Sequence, residues 1–321
     1  MSLADLKIFE GWSYTTMIEL LTQQLGLFNE ASGGAIRLIS GDTQGNLHDD
    51  AFWGEISGGI VRRRDPYAAT AVATKQLNQS SIKRVKVASG TAPVDISPHF
   101  LQWIKRDPQE AGMVYGEMLA KERLADMVNT SLLILVTALT NHADVTLDAS
   151  AAGTTTLARL NSASAKFGDA SQVIKTWVCH SKALHDIRGE AIANADRLFE
   201  FGTIQVTTDG FGRRFVVTDS PALFNVTPDP DQYTTLGLRA NAIVVRDEGD
   251  FLQNVETSNG TENITRTVQS QWSNSYAPMA FTWDEVAGGV APDDAALGAA
   301  ANWDRVHTDL KLLPGVALIT Q

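Results

Sequence analysis

The hydrophobic positions of the chain change their spacing several times, and each change predicts a different element. Apolar residues at helical spacing over residues 17–25 predict one helix that ends at Gly26. Over residues 35–97, short β-like runs are separated by turns rich in Gly, Asp and Asn. In the run 82–87, basic residues separate the apolar ones, which predicts a strand with at least one face in water. Neither region has enough apolar surface to fold alone, so we expect both to pack on another surface.

The strongest predicted element is a long helix that begins at Asp107 and Pro108. Asp is a favoured N-cap, and Pro suits the first helical position. Apolar residues three or four apart continue the helix to about Asn141. At about 1.5 Å per residue it is roughly 50 Å long, about three times the average helix of a globular protein. Gly112 and Gly116 near its start predict close packing or a bend.

The second half of the chain has the pattern of an α+β protein. Residues 146–255 predict a compact unit whose elements are a helix over 156–166, a strand over 173–179, a helix over 182–194 with Ser181 as its N-cap, a hairpin of 203–207 with 214–218, and a strand over 236–245. The connections are too short for repeated crossovers, so the sheet is expected to be mixed or antiparallel. Residues 256–321 then predict strands over 263–272 and 276–283, an Ala-rich helix over 294–306 and an apolar run over 310–319.

Composition indicates the number of structural units and the compartment in which the chain is made. The 321 residues are 44% hydrophobic and 20% charged, which is typical of a globular protein of about two structural units. A single cysteine, Cys179, cannot form an internal disulfide. The first residues lack the pattern of a signal peptide, so synthesis in the cytosol is expected. The longest apolar run, residues 132–136, is far shorter than the roughly 20 residues that span a bilayer, so no membrane role is predicted.

The charge is unevenly distributed. The chain has a formal net charge of −11, but residues 61–90 hold seven basic residues and one acidic residue, a net +6 that leaves −17 for the rest. This acidity argues against binding nucleic acid over the whole surface. The basic window lies where no core is predicted, so we expect it to contact acidic groups of a partner; the alternative is a solvated loop. The predicted contact residues are Arg62, Arg63, Arg64, Lys83, Arg84 and Lys86.

The search for catalytic motifs removes the commonest enzyme classes. The Gly-rich phosphate-binding motifs, the nucleophile elbow and the zincin motif are all absent. Cys179, His180 and His185 form the best remaining cluster for a metal or a Cys/His pair. Adjacent strand residues point to opposite faces, so Cys179 and His180 would not converge on one ion. We therefore predict no catalytic residue, cofactor or metal, with a soluble α+β hydrolase using His180 or His185 as the alternative.

Three stretches and the order of the elements resemble the major capsid protein of tailed bacteriophages, with its Hong-Kong-97-type fold. The stretches are WVCHSKAL at 177–184, GRRFVVTDSP at 212–221 and YTTLGLRANAI at 233–243. The ending, from ANWDR at 301–305 to KLLPG at 311–315, resembles that of one group of phage coat proteins. The resemblance covers nearly the whole chain in element order and implies an α+β fold with five parts. These are an N-arm (1–36), an E-loop formed by an extended β-hairpin (37–95), a peripheral domain with a spine helix (96–145), an axial domain (146–255) and returning peripheral strands with a C-terminal helix and strand (256–321).

The resemblance also implies a function. The expected product is an icosahedral shell of hexamers and pentamers that encloses double-stranded DNA without sequence-specific binding, in the virion of a tailed phage. Assembly is expected in the host cytoplasm, with a separate scaffolding protein, a portal and room for a decoration protein. The alternative within the same fold is an encapsulin-like compartment that holds protein cargo.

Overall fold

A computed structural model gives the fold of the chain over most of its length. It describes residues 3–40, 47–53, 61, 63–67, 69, 71–74, 79–191, 196–201, 204–208, 212–227, 230–259, 262 and 264–321. The α-helices in these ranges are α1 (Leu3–Ala31), α2 (Pro98–Arg106), α3 (Pro108–Thr140), α4 (Leu157–Ser164), α5 (Ser181–Ala191), α6 (Glu285–Gly288) and α7 (Asp294–Leu297). The strands form three sheets.

Helices α1 and α3 pack directly on each other. Asp107 caps α3 by accepting hydrogen bonds from the backbone N–H groups of its first turn, as its sequence predicts. Close packing at both glycines is confirmed: an added Cβ would lie 2.7 Å from the Phe9 carbonyl oxygen at Gly112 and 2.5 Å from the Ser13 carbonyl oxygen at Gly116. The predicted end of the first helix at Gly26 is wrong. The helix continues to Ala31, because the burial of Phe28 outweighs the roughly 1 kcal/mol that one helical glycine costs.

Helix α3 is the central element of the interior. By length and composition alone it could cross a membrane, but 67% of its most apolar window is buried inside the protein. Its 33 residues fit the roughly 50 Å expected.

The first sheet packs on these helices and contains the hairpin of the basic window. Its strands are β1 (Ile36–Ser40), β2 (Leu47–Trp53), β3 (Gln79–Gly90), β4 (Val94–Asp95), β12 (Ile243–Asp247), β13 (Leu252–Ser258) and β14 (Thr265–Pro278). The main order is β1-β12-β14-β3-β2, with β4 and β13 also pairing with β14. Strand β1 runs parallel to β12, and the other pairs are antiparallel. Apolar side chains of the central strands are buried in the core with α3, as at Val85, Val245 and Tyr276.

The second sheet is mixed, as expected. Its strands are β5 (Thr146–Asp148), β6 (Thr176–Cys179), β7 (Asp196–Phe201), β8 (Ile204–Thr208), β9 (Arg214–Val217), β10 (Phe224–Asn225), β11 (Gln232–Leu238) and β17 (Gly315–Thr320). The order is β5-β17-β11-β6-β9-β8-β7, with β10 beside β11, and the pairs β5–β17 and β6–β9 are parallel. Strands β8 and β9 form the predicted hairpin; residues 209–211 of its turn lie outside the described residues.

Strand pairing crosses two of the expected boundaries. The strand predicted over 236–245 is in fact two strands: β11 ends at Leu238 in the second sheet, and β12 begins at Ile243 in the first. Asn241, which has a φ of 57°, lies in the turn that separates them, and Asn is among the few residues that adopt this conformation readily. The end of the expected returning peripheral strands, β17, lies instead between β5 and β11 in the second sheet, where its side chains are buried.

The last two predicted elements also change. Strand β14 runs without a break from Thr265 to Pro278, and a third sheet pairs β15 (Phe281–Trp283) with β16 (Trp303–Arg305). The Ala-rich helix predicted over 294–306 is wrong, because α7 ends at Leu297. Trp303 pairs instead with Trp283 across β15 and β16, with ring centroids 4.9 Å apart, so burying the two indoles outweighs the helical preference of the alanines.

Candidate assembly surface

The basic window divides into a base that is tied to its own subunit and a tip whose described residues are exposed. At the base, Lys83 Nζ lies 2.8 Å from Glu285 Oε2, and the Lys83 N–H donates to Thr282 Oγ1 at 2.9 Å. Lys86 Nζ lies 3.3 Å from Asp250 Oδ2. Burial raises the pKa of Asp250, but hydrogen bonds from Ser273 and the charge of Lys86 outweigh it and hold that pKa below its ordinary value. These contacts fix β3 to the body of its own subunit.

At the tip, the described residues between 61 and 74 have no helix or strand and are all exposed. Arg63 and Arg64 lie here, while Arg62 is outside the described residues. Two large apolar side chains accompany them: Val61 is 92% exposed and Tyr67 is 95% exposed. Apolar side chains beside basic ones on an uncovered segment are typical of a surface that another protein covers. The contact predicted for these arginines stays a prediction.

Arg84 belongs to a groove that the sequence did not reveal. An open groove on the first sheet has a volume of ≈ 650 Å³. Its basic lining residues are Arg37 of β1, Arg84 of β3, Arg246 of β12, Arg239 and His307. We call it the arginine groove; no carboxylate is among its described lining residues. The sequence pattern does not predict a role for Arg37, Arg239 and Arg246, because each is a single basic residue in its own stretch of the chain. Only the strand order β1-β12-β14-β3 brings them beside Arg84.

A buried arginine joins the helices to the first sheet. Arg123 of α3 is 0% exposed, and its Nη2 lies 3.0 Å from Asp247 Oδ2 at the end of β12. Its Nη1 contacts Met17 Sδ of α1 at 3.1 Å, and its guanidinium carbon is 5.1 Å from the ring centroid of Trp272. Burial lowers the pKa of Arg123, and the charge of Asp247 opposes that shift. One side chain therefore links α1, α3 and two strands.

The three residues of the cysteine–histidine cluster take separate positions in the fold. Cys179 is buried in β6, and His185 is exposed on α5. His180 Nδ1 accepts a hydrogen bond from the Lys182 N–H at 3.2 Å, so His180 takes the capping position that we predicted for Ser181. The Ser181 N–H instead donates to Asp219 Oδ1 at 3.1 Å, and hydrogen bonds from the Ser181 side chain and backbone lower the pKa of Asp219. Among the described residues, no group of three His, Cys, Asp or Glu could hold a metal ion.

Comparison with known proteins supplies the family. The profile of one family, Gp13-like, described as Major capsid protein 13-like, matches residues 5–317. The chain belongs to this family. The capsid protein is therefore a structural protein of a bacteriophage virion that associates with copies of itself into a shell. This confirms the family and the role in the capsid shell that the sequence led us to expect.

Comparison with solved structures finds several similar chains. The capsid protein is similar to a structure described as Mycobacterium phage Cain, with a TM-score of 0.50 and 10% identity over 91% of this chain and 90% of that one. It is also similar to the cyanophage Pam1 capsid asymmetric unit (TM-score 0.48, 12% identity, 87% and 85% covered). A third similar structure is the head of Helicobacter pylori bacteriophage KHP40 (TM-score 0.48, 10% identity, 91% and 88% covered). No curated protein matches the chain. The α+β, Hong-Kong-97-type fold is confirmed.

Proposed function

We propose that the capsid protein assembles into hexamers and pentamers of an icosahedral shell that encloses the double-stranded DNA of a tailed phage. The observation that carries this proposal is the tip of the basic window, whose described residues are all exposed. A segment that keeps Val61 and Tyr67 in water is stabilised when a neighbour covers it. In the shell we place Arg62, Arg63 and Arg64 against acidic groups of the next subunit.

The parts of the subunit take the roles that the resemblance implies. Residues 1–36 serve as the N-arm, 37–95 as the E-loop, and 96–145 as the peripheral domain with α3 as its spine. Residues 146–255 make the axial domain, and 256–321 return to the periphery. The pairing of β17 within the second sheet argues for counting residues 315–320 with the axial domain.

The partners are proposed from the same role. A separate scaffolding protein guides assembly in the host cytoplasm, a portal occupies one vertex, and a decoration protein has room to bind outside. The DNA is enclosed without sequence-specific contacts, and an acidic wall helps it to enter and leave. The protein acts without catalytic residues, cofactor or metal.

Reversing the charge of the tip tests the proposal. The variant Arg62→Glu, Arg63→Glu, Arg64→Glu should give a folded subunit that forms no shells, seen by negative-stain electron microscopy of the purified chain. The matched control replaces the same three residues with lysine, which keeps the charge and should still allow shells to form. Normal shells from the glutamate variant would show that the tip makes no essential contact.

The contents of the particles separate the capsid from the encapsulin-like alternative. Particles isolated from the natural source should contain nuclease-protected double-stranded DNA. Particles that contain a protein cargo and no genome would support a cellular compartment instead.

A further inference from the structure

Three arginines of the groove, Arg37, Arg239 and Arg246, have no carboxylate partner among the described residues. Within the described residues, the Arg239 guanidinium donates to the Lys311 carbonyl oxygen at 2.9 Å. Arg246 Nε is buried without a hydrogen-bond partner in the described residues. Guanidinium groups held together in this way favour an anionic ligand, and carboxylates fit them well.

The floor of the groove indicates what kind of anion fits. Apolar side chains lie between the arginines, including those of Ile39, Ile82, Val244, Met279 and Leu312. No Phe, Tyr or Trp is among the described lining residues, so the groove lacks the large rings on which nucleic-acid bases stack best. A peptide segment that presents an apolar side chain beside carboxylates matches both the floor and the rim.

One segment of the capsid protein has this composition. Among the described residues, three large apolar side chains are more than nine-tenths exposed: Val61, Tyr67 and Val286. The first two lie beside Arg63 and Arg64, whose charge the groove would repel. Val286 is 96% exposed and lies in residues 284–294, DEVAGGVAPDD, which carry four carboxylates and no basic residue. We call residues 284–294 the acidic segment.

The acidic segment is held in a fixed shape. Asp284 Oδ1 accepts a hydrogen bond from the Val286 N–H at 2.9 Å, and Trp283 Nε1 donates to the Gly289 carbonyl oxygen at 2.8 Å. Asp293 Oδ1 caps α7 by accepting from the Ala296 N–H at 2.9 Å. Because these contacts already order the backbone, docking of the segment would cost little conformational entropy.

The groove and the acidic segment contact opposite faces of β3. Ile82 and Arg84 line the groove, whereas Lys83 between them pairs with Glu285 of the acidic segment. Successive strand residues point to opposite faces, so the segment leaves β3 on the side away from the groove. A contact between the two surfaces therefore joins different copies head to tail, which is the type of contact that closes into rings.

We propose that the arginine groove of one subunit binds the acidic segment of a second copy, with Val286 on the apolar floor and the carboxylates of Asp284, Asp293 and Asp294 on the arginines, while Glu285 keeps its pair with Lys83. This contact rests on the proposed assembly into shells and adds a second interface to the one made by the tip. It involves none of the tip arginines, so the two interfaces are separable by mutation.

Disulfide crosslinking tests the contact directly. The variant Val244→Cys, Val286→Cys, with Val244 on the floor of the groove, should form disulfide-linked dimers and higher multimers on oxidation, resolved by non-reducing electrophoresis. The matched control Val244→Cys, Val226→Cys uses another exposed valine and should stay monomeric on the gel. The native Cys179 is buried and stays unreactive. Wild-type shells with no crosslink in the first variant would overturn the contact and leave the proposed function intact, whereas a wild-type chain that never assembles would contradict the proposed function itself.

A charge exchange tests whether the contact drives assembly. Arg37→Glu with Arg246→Glu should abolish shells, and so should Val286→Arg with Asp294→Arg, while the four substitutions together should restore them. Thermal melting of each unassembled variant verifies that it is folded. Normal shells from the groove variant would overturn the proposal. A second result would also overturn it: a short DNA duplex binds the wild-type subunit but not the groove variant, and the cysteine variant gives no crosslink. That result would assign the groove to nucleic acid.

Discussion

The interior around α3 and the tip of the basic window both contain arginines, but they use them in opposite ways. Arg123 is buried, paired with Asp247 and in contact with α1 and the sheet, so its charge is satisfied within one subunit. Arg63 and Arg64 are exposed on a segment without regular structure. The first arrangement fixes the shape of the subunit, and the second leaves charge available for a neighbour. Loss of Arg123 should therefore affect folding, and loss of the tip arginines should affect assembly.

The largest effect on folding is expected from Arg123→Ala. Removing one partner of a buried ion pair leaves Asp247 uncompensated, which costs about 3–5 kcal/mol of the free energy of unfolding. Denaturant unfolding of the unassembled subunit measures this loss. The control is Lys121→Ala on the same helix, whose exposed pair with Glu117 is worth about 0.5 kcal/mol. A loss of under 1 kcal/mol for Arg123→Ala would contradict the idea of a buried clamp.

The next effect concerns the contact between α1 and α3. Gly116→Ala places a Cβ 2.5 Å from the Ser13 carbonyl oxygen, so the helices must separate, at a cost of about 1–3 kcal/mol. Gly26→Ala is the matched control, because an added Cβ there meets nothing within 4 Å. That control should gain up to about 1 kcal/mol, since alanine favours a helix over glycine. Equal stability of the two variants in thermal melts would show that the helices do not constrain each other at Gly116.

A smaller effect is expected from pH at the base of the window. The pKa of Asp250 is lower in the folded protein than its ordinary value near 4, so its contribution is complete above about pH 4 and disappears as the pH falls through the folded pKa. Asp250→Asn should weaken this acid dependence and cost about 1 kcal/mol at neutral pH, because the pair with Lys86 is partly exposed. Ser273→Ala should reproduce part of the change. Identical acid unfolding curves for wild type and Asp250→Asn would show that Asp250 does not contribute to the pH dependence of stability.

The smallest effect on folding is expected where the effect on assembly is largest. The variant Arg62→Glu, Arg63→Glu, Arg64→Glu should change the free energy of unfolding by less than about 0.5 kcal/mol, as is usual for exposed sites. A loss of more than 1 kcal/mol in the unassembled subunit would mean that the tip packs on its own subunit and would remove the contrast with α3.

Local patterns predicted the elements whose causes are local. The capping of α3 by Asp107 follows from residues next to one another in the chain. The two glycines near the start of α3 indicate that another element can approach closely, but the element that does so, α1, is distant in the chain. Tertiary contacts decided the elements that were wrong. The apolar run 236–245 gives no sign of the turn at Asn241 that sends its two halves into different sheets. The alanines before Trp303 likewise do not reveal that burial of two indoles favours a strand.

The assembly surface was predictable only in part, for the same reason. The run Arg62–Arg64 is visible because the three residues are consecutive. Lys83 and Lys86 lie in the same basic window, but their partners Glu285 and Asp250 are distant in sequence, so their attachment to the subunit was not foreseeable. Arg37, Arg239 and Arg246 are single basic residues in unrelated stretches. Their convergence depends on strand order, which the hydrophobic pattern does not encode.

The position of β17 has a consequence for the timing of folding. This strand lies between β5 and β11, so the second sheet lacks an inner strand until residues 315–320 have been synthesised. At roughly 5–20 residues per second, β5 waits on the order of ten seconds or more for its partner. Pairing over such sequence distances is also slow in itself. The nascent chain therefore cannot complete its second sheet before β17 has been translated, which delays assembly-competent subunits until that point.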